Sequence, residues 1–328
     1  MHDLVCPRDH LPLVRSDTAL TCTAGHCYPV HGGIPVFILD DVDQTHGEAS
    51  RALRLKEIEY ELTRDDGATP PRDQVDPLVR EILGGTCGNM YKAVRNEIDH
   101  YPIPELRLPA GAGARFLDIG CNWGRWSVAA AQKGYAVTGV DPSFGALVVA
   151  RRIFRQFGLE GRFICADARH LPFKDDSFDV VFSYSVLQHF SKDDVRATLR
   201  QIARIMTGHS HIQMANKFGV GSAYHRLRRL FSQLGVFHVR YWSPRELLAA
   251  FDADIGRSQL EVDGFFGLGM QASDLASFRP HHRLILRLSE RLRRFNGLTP
   301  LADSLYVNSQ SSKPGLAASN ADVLARQR

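Results

Sequence analysis

Three acids stand at the ends of three short apolar runs: Asp118 in "RFLDIG", Asp141 in "YAVTGVD" and Asp167 in "RFICAD". The first run continues as "LDIGCNWGRWS", a turn bearing Gly120 and Gly124 that leads into a helix. Glycines let a ligand come close to the backbone, and a strand-end carboxylate can hold a cation or accept hydrogen bonds from hydroxyls. A dinucleotide turn needs G-x-G-x-x-G, but Asn122 and Trp123 stand where the pyrophosphate would approach. A Walker-type loop needs a closing Gly-Lys-Ser/Thr, which is also absent. The residues therefore favour a ligand with a nucleoside and no phosphate. Asp118 suits a cationic group, Asp141 can accept from both ribose hydroxyls, and Asp167 lies within reach of an adenine amino group.

These side chains must be held by strands that alternate with helices. The runs "RFLDIG", "YAVTGVD", "RFICAD", "FDVVFSYS" and "SHIQMAN" are separated by helical stretches at 124–133, 143–157 and 192–205. Such a pattern predicts a parallel, doubly wound α/β sheet, and in open sheets of this kind ligands bind beyond the carboxyl ends of the strands. After Asn216 the alternation breaks. Basic helices are expected at 221–234 and 280–295, another helix from Ser243 to Phe251, and strands in "SQLEVDGFF" and "DSLYVNSQ".

Residues 114–216 resemble the core of a class I S-adenosylmethionine-dependent methyltransferase. The resemblance rests on "LDIGCNWGRWS", the acid Asp141, "ADARHLPF" and "FDVVFSYSVLQHF", in order and in register. It implies a Rossmann-like seven-stranded sheet with S-adenosyl-L-methionine as cofactor. Asp118, Gly120, Asn122 and Gly124 would surround the methionine part, with Asp141 on the ribose and Asp167 and Ala168 at the adenine. Ser183 would lie near the sulfur. Asn122 replaces the usual middle glycine. His189, in "SVLQHF", follows the fourth strand and is the candidate general base for a hydroxyl acceptor; the alternative is that it shapes the cofactor pocket.

The first 40 residues, "LVCPRD" and "LTCTAGHCYPVHGGIPVFI", resemble a Trm112-like zinc-ribbon module. A structural zinc takes four nitrogen, sulfur or oxygen ligands. Cys6, Asp9, Cys22 and His26 are the candidate set, with Cys27 or His10 as substitutes, because Asp9 stands where a second cysteine is usual. A metal-free ribbon held by Val5, Leu11, Leu20, Val30 and Ile34 is the other reading. Beside a methyltransferase core, such a module implies either an RNA-holding element or a structural cap.

The chain is expected to divide into this module (1–40), a linker with one helix over Ser50–Leu62 and further short helices (41–105), and the methyltransferase domain (106–310). Helical insertions forming a cap are expected at 217–242 and 270–300, and a disordered tail at 311–328. With 328 residues, a net charge of +4 and no apolar run long enough for a membrane span or a signal peptide, the chain is expected to be cytoplasmic. Its mild charge favours a small-molecule acceptor, anionic where Tyr224, His225 and Arg226 would grip it, over RNA. A solvated basic face explains those residues equally well, as it does Arg283, Arg287, Arg291 and Arg294 opposite Leu284, Leu288, Leu292 and Phe295.

Overall fold

A computed structural model describes residues 3–68, 70–86, 91, 94–223, 239–266 and 278–313. Its centre is a seven-stranded sheet: β5 (Arg115–Ile119), β6 (Ala136–Asp141), β7 (Gly161–Cys165), β8 (Phe178–Ser183), β9 (Met206–Ala215), β10 (Ser258–Gly264) and β11 (Ser304–Gln310). The spatial order is β10-β11-β9-β8-β5-β6-β7. Each expected run forms its strand, because residues such as Phe116, Leu117, Val181 and Phe182 are buried on both faces. The sheet is mixed, not wholly parallel. β11 runs antiparallel between β9 and β10.

From β5 the chain winds outward through β6 to β7, then crosses to β8 and winds the other way. The reversal between β5 and β8 opens a crevice at the strand ends, where ligands bind in such sheets. Helices start where the sequence caps them. The helix Phe144–Phe157 is capped by Ser143, and Lys192–Ile205 by Ser191. Pro244–Asp254 starts with a full capping box between Ser243 and Glu246.

The N-terminal unit is a four-stranded antiparallel sheet: β1 (Leu13–Arg15), β2 (Ala19–Cys22), β3 (Cys27–His31) and β4 (Ile34–Pro35). Val5, Leu20 and Ile34 are buried in it as expected, Val30 is half-buried, and Leu11 lies exposed at the edge. Val36 then bridges Cys165 at the end of β7, and the Phe37 N–H donates to Cys165 O at 2.7 Å. The N-terminal sheet is thereby stitched to the main sheet.

The segment expected to be a linker is a packed part of the domain. It forms two helices, α1 (Gly47–Ala52) and α2 (Leu55–Thr63), with Ala49, Ala52 and Ile58 in the core. Its acids meet Arg152 on the helix Phe144–Phe157: Asp76 at 2.9 Å, Asp66 at 2.5 Å and Asp65 at 3.4 Å. The basic helix is observed over Pro280–Leu292, but it buries Leu286 and Ser289 while Leu284 and Leu288 on its stripe face solvent, as does Phe295 beyond it. Tyr224, His225 and Arg226, and the tail from 314 onward, lie outside the described residues. Among the described residues no helix is long and apolar enough to cross a membrane.

Candidate functional site

The turn after β5 is held in place before any ligand arrives. The N–H groups of Gly120 and Cys121 donate to Val140 O at 2.7 and 3.1 Å, tying the turn to β6. Gly120 has φ +74°, and a Cβ there would lie 2.2 Å from Val186 Cγ2, so only glycine keeps this approach open. Asn122 also has a positive φ, +48°, which an asparagine tolerates better than most residues. Its side chain accepts from the Trp123 N–H at 2.8 Å, and Gly124 at φ +85° caps the helix Arg125–Gln132.

Asp141 sits beneath this turn. One oxygen accepts the Asn122 N–H at 2.9 Å and the other accepts the Ser143 N–H at 2.8 Å. A carboxylate oxygen has two lone-pair directions, so each keeps one for a further donor. A vicinal diol fits this pair. Burial pushes the Asp141 carboxyl up to about 6 against those two hydrogen bonds, and the charge of Glu48 adds to the rise. Asp118 is also buried and accepts from Ser127 Oγ at 2.6 Å through one oxygen. Burial raises it to about 7, with the negative charge of Asp141 a smaller contribution of the same sign. A buried carboxylate of this kind favours a cationic partner, which would restore its ionised form. The donors and acceptors present thus fit a ligand with an ammonium group and a ribose.

Two of the other expected cofactor residues, Asp167 and Ser183, already have protein hydrogen-bond partners. Asp167 is gripped by Arg169, whose Nε and Nη2 donate to its two oxygens at 3.1 and 2.7 Å. Arg169 also donates to Asp194 at 2.9 Å and to Asp43 O at 2.6 Å. Ala168 is buried beside it. The Ser183 hydroxyl donates to Ile119 O at 2.9 Å, where β8 and β5 end side by side. His189 ends a 3-10 turn, Leu187–His189, that follows β8. Arg240 clamps this turn: its N–H donates to Gln188 O at 2.7 Å, and its guanidinium to His189 O. The imidazole is half-buried, with Nε2 3.5 Å from Gln188 Nε2.

The strand ends on the far side of the crevice carry a network that the sequence reading missed. Asp263 at the end of β10 accepts from Tyr184 OH at 3.0 Å and from Ser304 Oγ at 2.6 Å. Arg107 lies 3.6 Å from its second oxygen, and Gln213 links Ser304 to the Ser185 N–H. Ser185 itself has φ +62°, strain of the sort stored at functional turns. Trp126 stacks on Tyr184 with centroids 4.7 Å apart. Alternation in "LEVDGF" gave no signal for it, since Asp263 falls on the strand face opposite Leu260 and Val262.

In the ribbon, Cys6, Asp9, Cys22 and His26 bring one ligand atom each within 4.8 Å of one another. His26 Nδ1 lies 3.4 Å from Cys6 Sγ, 3.5 Å from Cys22 Sγ and 3.0 Å from Asp9 Oδ2, and Cys22 Sγ lies 3.6 Å from that oxygen. Tetrahedral zinc bonds of about 2.0–2.3 Å give edges of about 3.3–3.8 Å; the three separations that involve sulfur lie in that range, and the His26–Asp9 one falls below it. Cys27 is exposed and stands outside the cluster, as does His10. Tyr28 OH lies 3.1 Å from Cys6 Sγ, as an outer hydrogen-bond partner.

Residues 116–208 match the family profile of a methyltransferase domain. The chain is 37% identical over 157 residues to methyltransferase GfsG of Streptomyces halstedii, covering 44% of this chain and 55% of that protein. It is 28% identical over 161 residues to the ubiquinone biosynthesis O-methyltransferase of Agrobacterium fabrum, covering 49% of this chain and 60% of that one. With the ubiquinone biosynthesis O-methyltransferase of Azorhizobium caulinodans, identity is 30% over 235 residues, which span 70% of this chain and 83% of its relative. The chain spans somewhat more than half the length of the first two relatives.

Proposed function

The chain belongs to the class I S-adenosylmethionine-dependent methyltransferases, and from that premise we propose that it methylates a hydroxyl group of a small molecule. One observation carries the cofactor half of this reading: Asp141 is fixed by two backbone N–H groups with a lone pair left on each oxygen. Asp118, Gly120, Asn122 and Gly124 would hold the methionine part, and Asp141 the ribose. When bound, the cofactor supplies an activated methyl group on a positively charged sulfur. The chain's own residues do the rest. Asp118 neutralises the ligand's cationic end in a buried site, and the turn at 120–124 fixes its position. His189, held by the Arg240 clamp, takes the proton of the acceptor hydroxyl at its imidazole. An oxygen acceptor is preferred over an amine because the relatives include named O-methyltransferases. Tyr224, His225 and Arg226 are the residues proposed to grip an anionic acceptor group. Zinc is proposed in the ribbon on Cys6, Asp9, Cys22 and His26, with a structural role.

The test is calorimetric titration with S-adenosylhomocysteine, with NAD as a control. Binding of the first alone supports the reading, and binding of neither removes it. Where binding holds, His189→Gln should lower turnover of a hydroxyl acceptor by about 100-fold or more while cofactor affinity stays unchanged. Unchanged turnover would return His189 to pocket shaping.

A further inference from the structure

The segment that leaves the ribbon passes the nucleoside side of the crevice on its way to α1. It begins beside the end of β7, where Phe37 bonds to Cys165, two residues before Asp167. The Asp43 carbonyl then accepts from Arg169, the same guanidinium that grips Asp167. Farther on, Glu48 accepts from Ser143 Oγ at 3.3 Å, and the Ser143 N–H donates to Asp141. One continuous stretch of chain therefore touches the residues beside the adenine acid and beside the ribose acid.

Gln44 sits between these two anchor points. Its Nε2 donates to Leu39 O at 2.6 Å and to Val42 O at 2.8 Å. Two carbonyl acceptors on that atom fix which end of the amide is nitrogen. The other end, Oε1, is buried and has no hydrogen-bond partner among the described residues. A buried acceptor left without a donor is unfavourable, and native proteins seldom keep one without a reason. Asp167 meanwhile already accepts from the Arg169 backbone N–H as well as its guanidinium, which leaves it little capacity.

We propose that Gln44 Oε1 accepts a hydrogen bond from the exocyclic amine of the cofactor's adenine, with the strap 37–48 forming the outer wall of the nucleoside site. This rests on the cofactor assignment made above. The ribbon then contributes to cofactor selection, because the strap it anchors carries the adenine-reading residue. An amine offers a donor to Oε1, whereas a 6-oxo group would present a second acceptor and be repelled.

The experiment compares calorimetric affinities of S-adenosylhomocysteine and its 6-oxo analogue, S-inosylhomocysteine, in the full chain. The unaltered protein should prefer the amine. Gln44→Met keeps the side-chain length and removes the acceptor, and should shrink that preference about tenfold. A purely structural role for Gln44 would weaken both ligands alike and leave their ratio unchanged, which would overturn the assignment. Should Gln44→Met fail to fold, Gln44→Leu, which also lacks the acceptor, replaces it: it should shrink the preference likewise, and an unchanged ratio in that folded variant overturns the proposal. If the unaltered protein binds neither ligand, the cofactor reading itself falls. If it binds but the variants leave the ratio untouched, only the strap assignment falls.

Discussion

On the β5–β6 side of the crevice, Asp141 accepts two backbone N–H groups and keeps capacity for two more donors, whereas on the β9–β10 side Asp263 is surrounded by partners from the protein itself. Tyr184, Ser304 and Arg107 come to Asp263 from three separate segments. The first carboxylate is held by local backbone and keeps acceptor capacity to spare, and the second holds distant segments of the fold together. Two buried acids at the ends of strands in one sheet thus do opposite work. The discriminating feature is what fills their lone pairs, since their burial is alike.

The largest effect that tests this contrast is on stability. Asp263→Ala leaves the Tyr184 and Ser304 hydroxyls without their acceptor and Arg107 with Glu290 as its remaining carboxylate, a loss of about 2–5 kcal/mol. Urea denaturation should show that loss. Asp141→Ala should cost the ligand-free protein less, because it releases only the two backbone N–H groups of adjoining turns and removes a carboxylate whose ionised form burial disfavours. Equal losses would erase the distinction between the two acids.

Next comes binding. Asp141→Ala removes two charge-assisted hydrogen bonds to a diol, a loss of about 3 kcal/mol or about 100-fold in affinity for S-adenosylhomocysteine. Asp263→Asn, which keeps its shape, should leave that affinity within about threefold. A large drop in the second variant would mean the network reaches the cofactor after all.

The strands were legible in the sequence because each is a short run buried on both faces, and apolar runs show that directly. Strand order was not, since the place of β11 is decided by pairing with β9 and β10, which periodicity does not record. The stretch "TRDDGATPPRD" looked like a linker for a related reason. Its acids Asp65 and Asp66 read as solvated, but their partner Arg152 lies 87 and 86 residues on, and only folding brings them together. The turn after β5 was readable because its parts are local: Gly120, Asn122 and Gly124 impose backbone geometry on their own neighbours. The Asp263 network, and the Gln44 strap, join residues from remote segments and left almost no trace. The ribbon's four ligand atoms fall between these cases, since two spaced pairs were visible and only their meeting needed the fold.

A third expectation concerns pH. Asp118 and Asp141 are raised to about 7 and about 6, above the ordinary 3.8, chiefly by burial. A raised folded-state value favours folding while the group is protonated. Their contribution to the stability of the ligand-free protein is therefore complete below about pH 4 and is lost as pH rises through 6 and 7. A cationic ligand prefers the ionised acids, so its affinity should move the other way. Binding of S-adenosylhomocysteine at pH 6 should be about tenfold weaker than at pH 8. A flat profile would show that Asp118 does not meet the ligand's cationic end.

The smallest effect asks how far the Asp263 network can be loosened. Tyr184→Phe removes one donor but keeps the ring that stacks on Trp126. Asp263 would still have Ser304 and Arg107, so no charge is stranded. The expected loss is one net hydrogen bond, about 0.5–1.5 kcal/mol by denaturation, with cofactor affinity unchanged. Acceptor turnover is the informative reading, because Tyr184 directly follows β8 and is adjacent to Ser185, whose backbone strain is held by Gln213. If stability falls slightly and turnover holds, the network is a brace for the strand ends. If turnover falls much more than stability, the Tyr184 hydroxyl works at the acceptor, and the two sides of the crevice differ less than their ligand-free hydrogen bonds suggest.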